Sequence, residues 1–153
     1  MTSSDAGDSR PTGNFMTVKE YLQVAIRFER ESAQFYHRLK ARTDKRDVAE
    51  LLGLLERQEI HHERILREYE VQADPESMLQ FPPDLALAMP ALKSENPTFD
   101  EMLALAILRE VRAAEVYEHA ATRVSGGFRD LLAGLAVFER EHEKRLKSLQ
   151  QFY

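Results

Sequence analysis

The segment LLERQEIHH, residues 54–62, sets Glu59 and His62 into an apolar helical stripe, and LAVFEREH, residues 135–142, does the same with Glu139 and His142. Residues three apart share a helix face, so each Glu-x-x-His aims a carboxylate and an imidazole in one direction. The first stripe reads Leu52, Leu55, Glu59, His62, Leu66; the second reads Leu132, Leu135, Glu139, His142, Leu146, each residue 80 positions later. An uncompensated carboxylate on a buried stripe is costly, so a pair of them at matching places calls for a chemical reason.

The echo extends beyond these segments. Thr17, Glu20, Leu22, Ala25, Ile26, Glu29 and Tyr36 return as Thr98, Glu101, Leu103, Ala106, Ile107, Glu110 and Tyr117, each 81 later. Glu29 stands among Leu22, Ala25, Ile26, Ala33 and Tyr36 where a leucine is expected, and Glu110 repeats it. A lone Glu-x-x-His arises easily by chance. Chance does not supply two in register on core stripes, each preceded by a glutamate on another core stripe.

Four helices follow from these spacings. T-V-K-E from Thr17 and T-F-D-E from Thr98 are capping boxes that open the first and third helices. The first carries Val18, Leu22, Ala25, Ile26, Ala33, Tyr36 and Leu39 at helical period. The second follows Asp44 or Asp47 with Val48, Leu51, Leu52, Leu55, Ile65, Leu66 and Tyr69. The third continues through Met102, Leu103, Ala106, Ile107, Ala114, Tyr117 and Val124 until Gly126-Gly127 breaks the chain. The fourth runs from about Phe128 to Leu149. Between the second and third, about residues 73–97, lie five of the six prolines, which a helix interior cannot accept. A helix of about 25 residues is about 37 Å long, a distance that an extended segment of similar residue count spans easily. Short connections make antiparallel pairs, and the long one returns along the molecule. The expected fold is all-α: a four-helix bundle with antiparallel pairs joined by one long crossover, the second helix parallel to the third.

Composition narrows the function. At 153 residues, 43% hydrophobic and 31% charged, one soluble helical domain over residues 17–153 is expected, after a disordered tail over 1–16. A net charge of −5 gives no support to nucleic acid or an anionic membrane as partner. No apolar run approaches the ~20 residues of a membrane span, and the first residues lack the apolar core of a secretory signal, which argues for a cytoplasmic location. With no cysteine, disulfides, thiolate zinc sites and iron–sulfur clusters are excluded.

In an antiparallel bundle the mid-helix positions Glu29, Glu59, His62, Glu110, Glu139 and His142 meet at one height. Four ionised carboxylates in a dry core are prohibitive alone, but two divalent cations balance them, with two neutral imidazoles completing the shell. Oxygen-rich ligation with one imidazole per metal favours iron or manganese over tetrahedral zinc. Tyr36 and Tyr117, two turns beyond Glu29 and Glu110, either fill core or hydrogen-bond a ligand carboxylate. His61, Glu63, Glu141 and Glu143 are expected to face solvent. His37 and His119 are expected at the surface, and Glu56 either borders the site or faces water.

With AIRFERESAQFY (residues 25–36) and LAILREVRAAEVY (105–117) beside the two Glu-x-x-His segments, the chain resembles the ferritin-like diiron proteins, and most of all their rubrerythrin-related branch, from about Thr17 to Leu149. The resemblance implies that Glu29, Glu59, His62, Glu110, Glu139 and His142 hold two irons, or manganese, with Glu59 and Glu139 bridging and Glu29 and Glu110 terminal. It implies an oxidoreductase of oxidative-stress type that oxidises Fe(II) with, or reduces, O₂ or hydrogen peroxide, and a homodimer, with helix exchange through the long connector left open. Three departures bear on this. Rubrerythrins carry a cysteine-ligated rubredoxin module, absent here, so electrons are expected from an external donor protein. They place a second glutamate three residues after the third-helix ligand; Ala113 stands there and weakens the expectation of peroxidase chemistry. Ile60 follows Glu59 where bacterioferritins have a haem-ligating methionine, and no fifth helix fits after Leu149, so no haem is expected. Two other readings remain: iron or manganese sequestration or delivery without turnover, and a bundle that merely scaffolds an assembly.

Overall fold

The computed structural model describes residues 15–74, 76–80, 92 and 95–152. Six elements follow in chain order: β1 (Phe15–Thr17), α1 (Val18–Lys40), α2 (Arg46–Gln72), β2 (Met78–Gln80), α3 (Phe99–Ala121) and α4 (Gly126–Phe152). The expected disordered tail up to residue 14, and most of the expected crossover, lie outside the described residues.

Both capping boxes form. Thr17 Oγ1 accepts the Glu20 amide at 3.0 Å while the Glu20 carboxylate accepts the Thr17 amide at 2.9 Å. Thr98 and Glu101 repeat this at 3.1 and 3.2 Å. Each box satisfies two amides that a helix start would otherwise leave orphaned. α2 starts at Arg46, between the two aspartates offered for it, with Lys45 at the N-cap position but no side-chain capping bond from it. At α4 the expectation needs correcting. Gly126-Gly127 opens the helix, with Gly126 at φ 68°, a left-handed conformation that glycine adopts without steric cost. The interruption falls earlier, so Val124 lies past the end of α3.

α1 packs chiefly on α2, and α3 chiefly on α4. Cross-helix partners fix the directions. Lys40 pairs with Glu56 and Arg30 with Glu63, so α1 and α2 are antiparallel. Tyr36 meets Glu110 while Tyr117 meets Glu29, so α1 and α3 are antiparallel as well. α2 therefore runs parallel to α3, as a long return connection requires.

The core is in two apolar layers. One joins the start of α1 (Val18, Leu22) to the ends of α2 and α3 (Leu66, Ala120) and the start of α4 (Leu132). The other joins the end of α1 (Leu39) to the starts of α2 and α3 (Leu52, Leu103) and the end of α4 (Leu146). All six mid-helix polar residues lie between them.

A short ribbon was not expected. β1 and β2 pair antiparallel with Phe15 opposite Gln80 and Thr17 opposite Met78, and the Val18 amide donates to the Ser77 carbonyl at 2.9 Å. Phe15 and Met16, read as tail, are thus strand, and part of the supposed irregular crossing is their partner. Leu79 of β2 is buried and joins the first apolar layer. Among the described residues no helix is long and apolar enough to cross a membrane.

Candidate metal centre

Each helix brings its mid-length polar residue or pair inward because the flanking leucines and alanines must be buried. Glu29, Glu59, His62, Glu110, Glu139 and His142 are all at most 2% exposed. Their ligand atoms form two overlapping groups: Glu29, Glu59, His62 and Glu139, and Glu59, Glu110, Glu139 and His142. Within each group these atoms lie within 4.8 Å of one another. Glu59 and Glu139 belong to both. All six residues singled out in the sequence are brought together.

The imidazoles turn their Nδ1 atoms inward. His62 Nδ1 lies 3.8 Å from Glu29 Oε2, 3.8 Å from Glu59 Oε1 and 3.5 Å from Glu139 Oε1. His142 Nδ1 lies 3.0 Å from Glu59 Oε1, 3.6 Å from Glu110 Oε2 and 3.9 Å from Glu139 Oε2. The two rings are stacked, with centroids 6.1 Å apart and 16° between their planes.

The hydrogen-bond accounting is uneven. Glu29 Oε1 accepts from the Tyr117 hydroxyl at 2.8 Å, and Glu110 Oε1 accepts from the Tyr36 hydroxyl. Both tyrosines thus hold a carboxylate in addition to filling core. Among the described residues no hydrogen-bond partner is found for Glu29 Oε2, Glu110 Oε2, either oxygen of Glu59 or Glu139, or the Nδ1 of His62 or His142. Buried polar atoms are nearly always paired. Eight orphans facing one centre are the mark of a site whose partner is an ion.

Electrostatics point the same way. Burial, and then the charges of neighbouring carboxylates, push Glu59 and Glu139 well above the usual carboxylate range. At Glu110 burial acts in the same sense, but Glu139, His142 and the Tyr36 hydroxyl outweigh it and hold the group below its ordinary value. Burial therefore favours the protonated forms of Glu59 and Glu139 when no cation balances them. Burial and the adjacent glutamates raise Tyr36 and Tyr117, so both stay neutral donors. Hard carboxylate oxygens with one imidazole per group fit iron or manganese.

Other residues fall elsewhere. His61 and Glu141 are exposed; Glu63 and Glu143 are only partly so, tied to Arg67 at 2.8 Å and Lys147 at 2.6 Å. Glu56 pairs with His37 at 3.2 Å and Lys40 at 3.1 Å, outside both groups. His119, expected at the surface, is half-buried.

Sequence reasoning missed two neighbours of the centre. Arg109 is 9% exposed, its guanidinium 5.0 Å from the Phe28 ring and 6.0 Å from the Phe35 ring, donating to Ser32 Oγ at 3.3 Å. Its charge favours the ionised form of Glu59. A cation between Ala106 and Ala113 on an apolar stripe was the available signal. Gln58 is the other, its Oε1 lying 2.7 Å from His142 Nε2.

Residues 20–150 match the family model described as Rubrerythrin. Among solved structures, a hypothetical protein from Pyrococcus furiosus is 24% identical, with 89% of each chain covered and a TM-score of 0.74. A protein from Thermotoga maritima described as "a putative ferritin-like diiron-carboxylate protein" is 22% identical, with 92% of this chain and 99% of that one covered and a TM-score of 0.76. At such identities the likeness is one of fold. No curated protein matches the chain.

Proposed function

The chain belongs to the rubrerythrin family, and from that premise we propose that it is a non-haem diiron oxidoreductase acting on O₂ or hydrogen peroxide. The observation that carries this reading is the set of eight buried, unpartnered donor atoms converging from four helices. Among the described residues neither oxygen of Glu59 or Glu139 has a hydrogen-bond partner, and both residues belong to both groups, which supports a bridging role. Glu29 and Glu110 each have one oxygen tied to a tyrosine, which supports terminal ligation through the other. His62 and His142 complete the set through Nδ1. Four carboxylates offset two divalent cations.

When bound, an iron pair supplies the electrons that reduce the oxidant. The protein contributes the rest. Its two apolar layers keep bulk water from the carboxylates, which strengthens every charge interaction inside. Tyr36 and Tyr117 keep their protons and fix the terminal carboxylates. α3 brings one carboxylate, Glu110, to the centre, with Ala113 one turn on. The reading takes the electrons for turnover from a separate donor protein.

Anaerobic titration of apoprotein with Fe(II), followed by air or hydrogen peroxide, tests the reading. Near-ultraviolet ferric absorption should rise to an endpoint of two irons per chain and be lost in Glu59→Ala. Its absence in the wild type would sink the oxidoreductase assignment. The near-complete burial of every ligand favours a second reading, retention of iron or manganese for delivery. That reading requires slow oxidation with stable metal content, and elemental analysis of protein purified without added metal identifies the ion.

A further inference from the structure

The internal repeat breaks beside the two imidazoles. Gln58, one residue before Glu59, corresponds to Phe138, one residue before Glu139. Gln58 reaches from α2 to α4, where its Oε1 lies 2.7 Å from His142 Nε2. Phe138 reaches from α4 to α2, where its ring packs on the His62 ring with centroids 5.0 Å apart and planes at 61°. One imidazole therefore meets a carbonyl oxygen. The other meets a hydrocarbon ring with no lone pair to receive an N–H.

This difference acts on the proton. A neutral imidazole carries one N–H, on either nitrogen. The Nδ1 of His142 faces Glu59, Glu110 and Glu139, and its lone pair must point there to bind a cation. An acceptor at Nε2 places the proton at Nε2, frees the Nδ1 lone pair, fixes the ring angle and raises ligand basicity. The Nδ1 of His62 faces a matching set, Glu29, Glu59 and Glu139, but Phe138 selects no tautomer. Phe138 is also 45% exposed, so the group packed on His62 is itself at the surface.

We infer that Gln58 is a positioning residue that makes the two half-sites unequal: the cation held by Glu110 and His142 with the shared Glu59 and Glu139 binds first and is retained, and the cation at Glu29 and His62 binds second and exchanges. This rests on the dinuclear reading above.

Cobalt(II) reports the order of filling without turnover. Anaerobic full-length apoprotein is titrated with Co(II), and the paramagnetically shifted, exchangeable imidazole N–H resonances are followed by proton NMR. One slowly exchanging resonance should appear at the first equivalent and a second, faster-exchanging one only at the second equivalent. Gln58→Leu should weaken the first equivalent about 10–100-fold and abolish the slow exchange. Gln58→Glu, which keeps an acceptor, should restore both. Even division of the first equivalent between the two imidazoles, or wild-type affinity and exchange in Gln58→Leu, would overturn the inference. Failure of the wild type to take up any Co(II) would overturn the dinuclear reading, and this inference with it.

Discussion

Tyr36 and Tyr117 each cross from one helical pair to the other to reach a glutamate, and the two bonds are related by the internal repeat. Replacing either by phenylalanine leaves a buried carboxylate oxygen with no donor, at a cost of about 1–3 kcal/mol. Urea unfolding of apoprotein should show Tyr36→Phe and Tyr117→Phe destabilised by similar amounts; a loss at one position alone would mean that the two are not equivalent. The six clustered residues were legible in the sequence because a glutamate on a leucine stripe is an anomaly, and a repeated anomaly is a pattern. The tyrosines were legible only as alternatives, since a phenol ring suits core and hydrogen bond alike. Gln58 gave no signal beyond its place beside Glu59. Arg109 is accommodated by two aromatic faces on α1, Phe28 and Phe35, and that stacking depends on how helices pack rather than on local sequence.

Among the elements, those with local determinants were read best. The capping boxes of α1 and α3 are four-residue motifs, and both form as expected. Thr17→Ala and Thr98→Ala should each cost about 1 kcal/mol. Because α1 and α3 are antiparallel, the two caps lie at opposite ends of the bundle, so the double variant should lose the sum of the two. Denaturation midpoints of the three variants check this, and a clearly non-additive double variant would contradict it. The start of α2 was ambiguous because the residue at its N-cap, Lys45, supplies no capping bond, while Asp47 accepts the Val48 amide from inside the first turn. The start of α4 was misplaced because Gly-Gly reads as a break, whereas Gly126 turns the chain directly into the helix. The ribbon was invisible for a different reason. Strands of three residues are too short to show alternation, and their pairing joins distant parts of the chain.

For the molecule as a whole, the bundle and its helix directions followed from where proline is concentrated and from the helical periods, and the metal centre links that fold to pH. Burial holds Glu59 and Glu139 above their ordinary value of 4.5, so the native apoprotein keeps protons that the unfolded chain releases. Stability that these protons provide is present below that value and is lost as pH rises through the raised ones. The melting temperature of apoprotein should therefore fall as pH is raised from about 5 towards 8, while affinity for divalent cations, which displace the protons, should grow. Scanning calorimetry with and without Mn(II) measures both, and an apoprotein whose stability increases over this range would contradict the assignment. The layout of the centre carries one more consequence. Glu29, Glu59 and His62 come from the α1–α2 hairpin and Glu110, Glu139 and His142 from the α3–α4 hairpin, and backbones approach each other more closely within each hairpin than between the two. Any cation gripped there is a rivet through the seam between two clasps related by the internal repeat, so occupancy adds to the apolar layers that join the halves of the molecule.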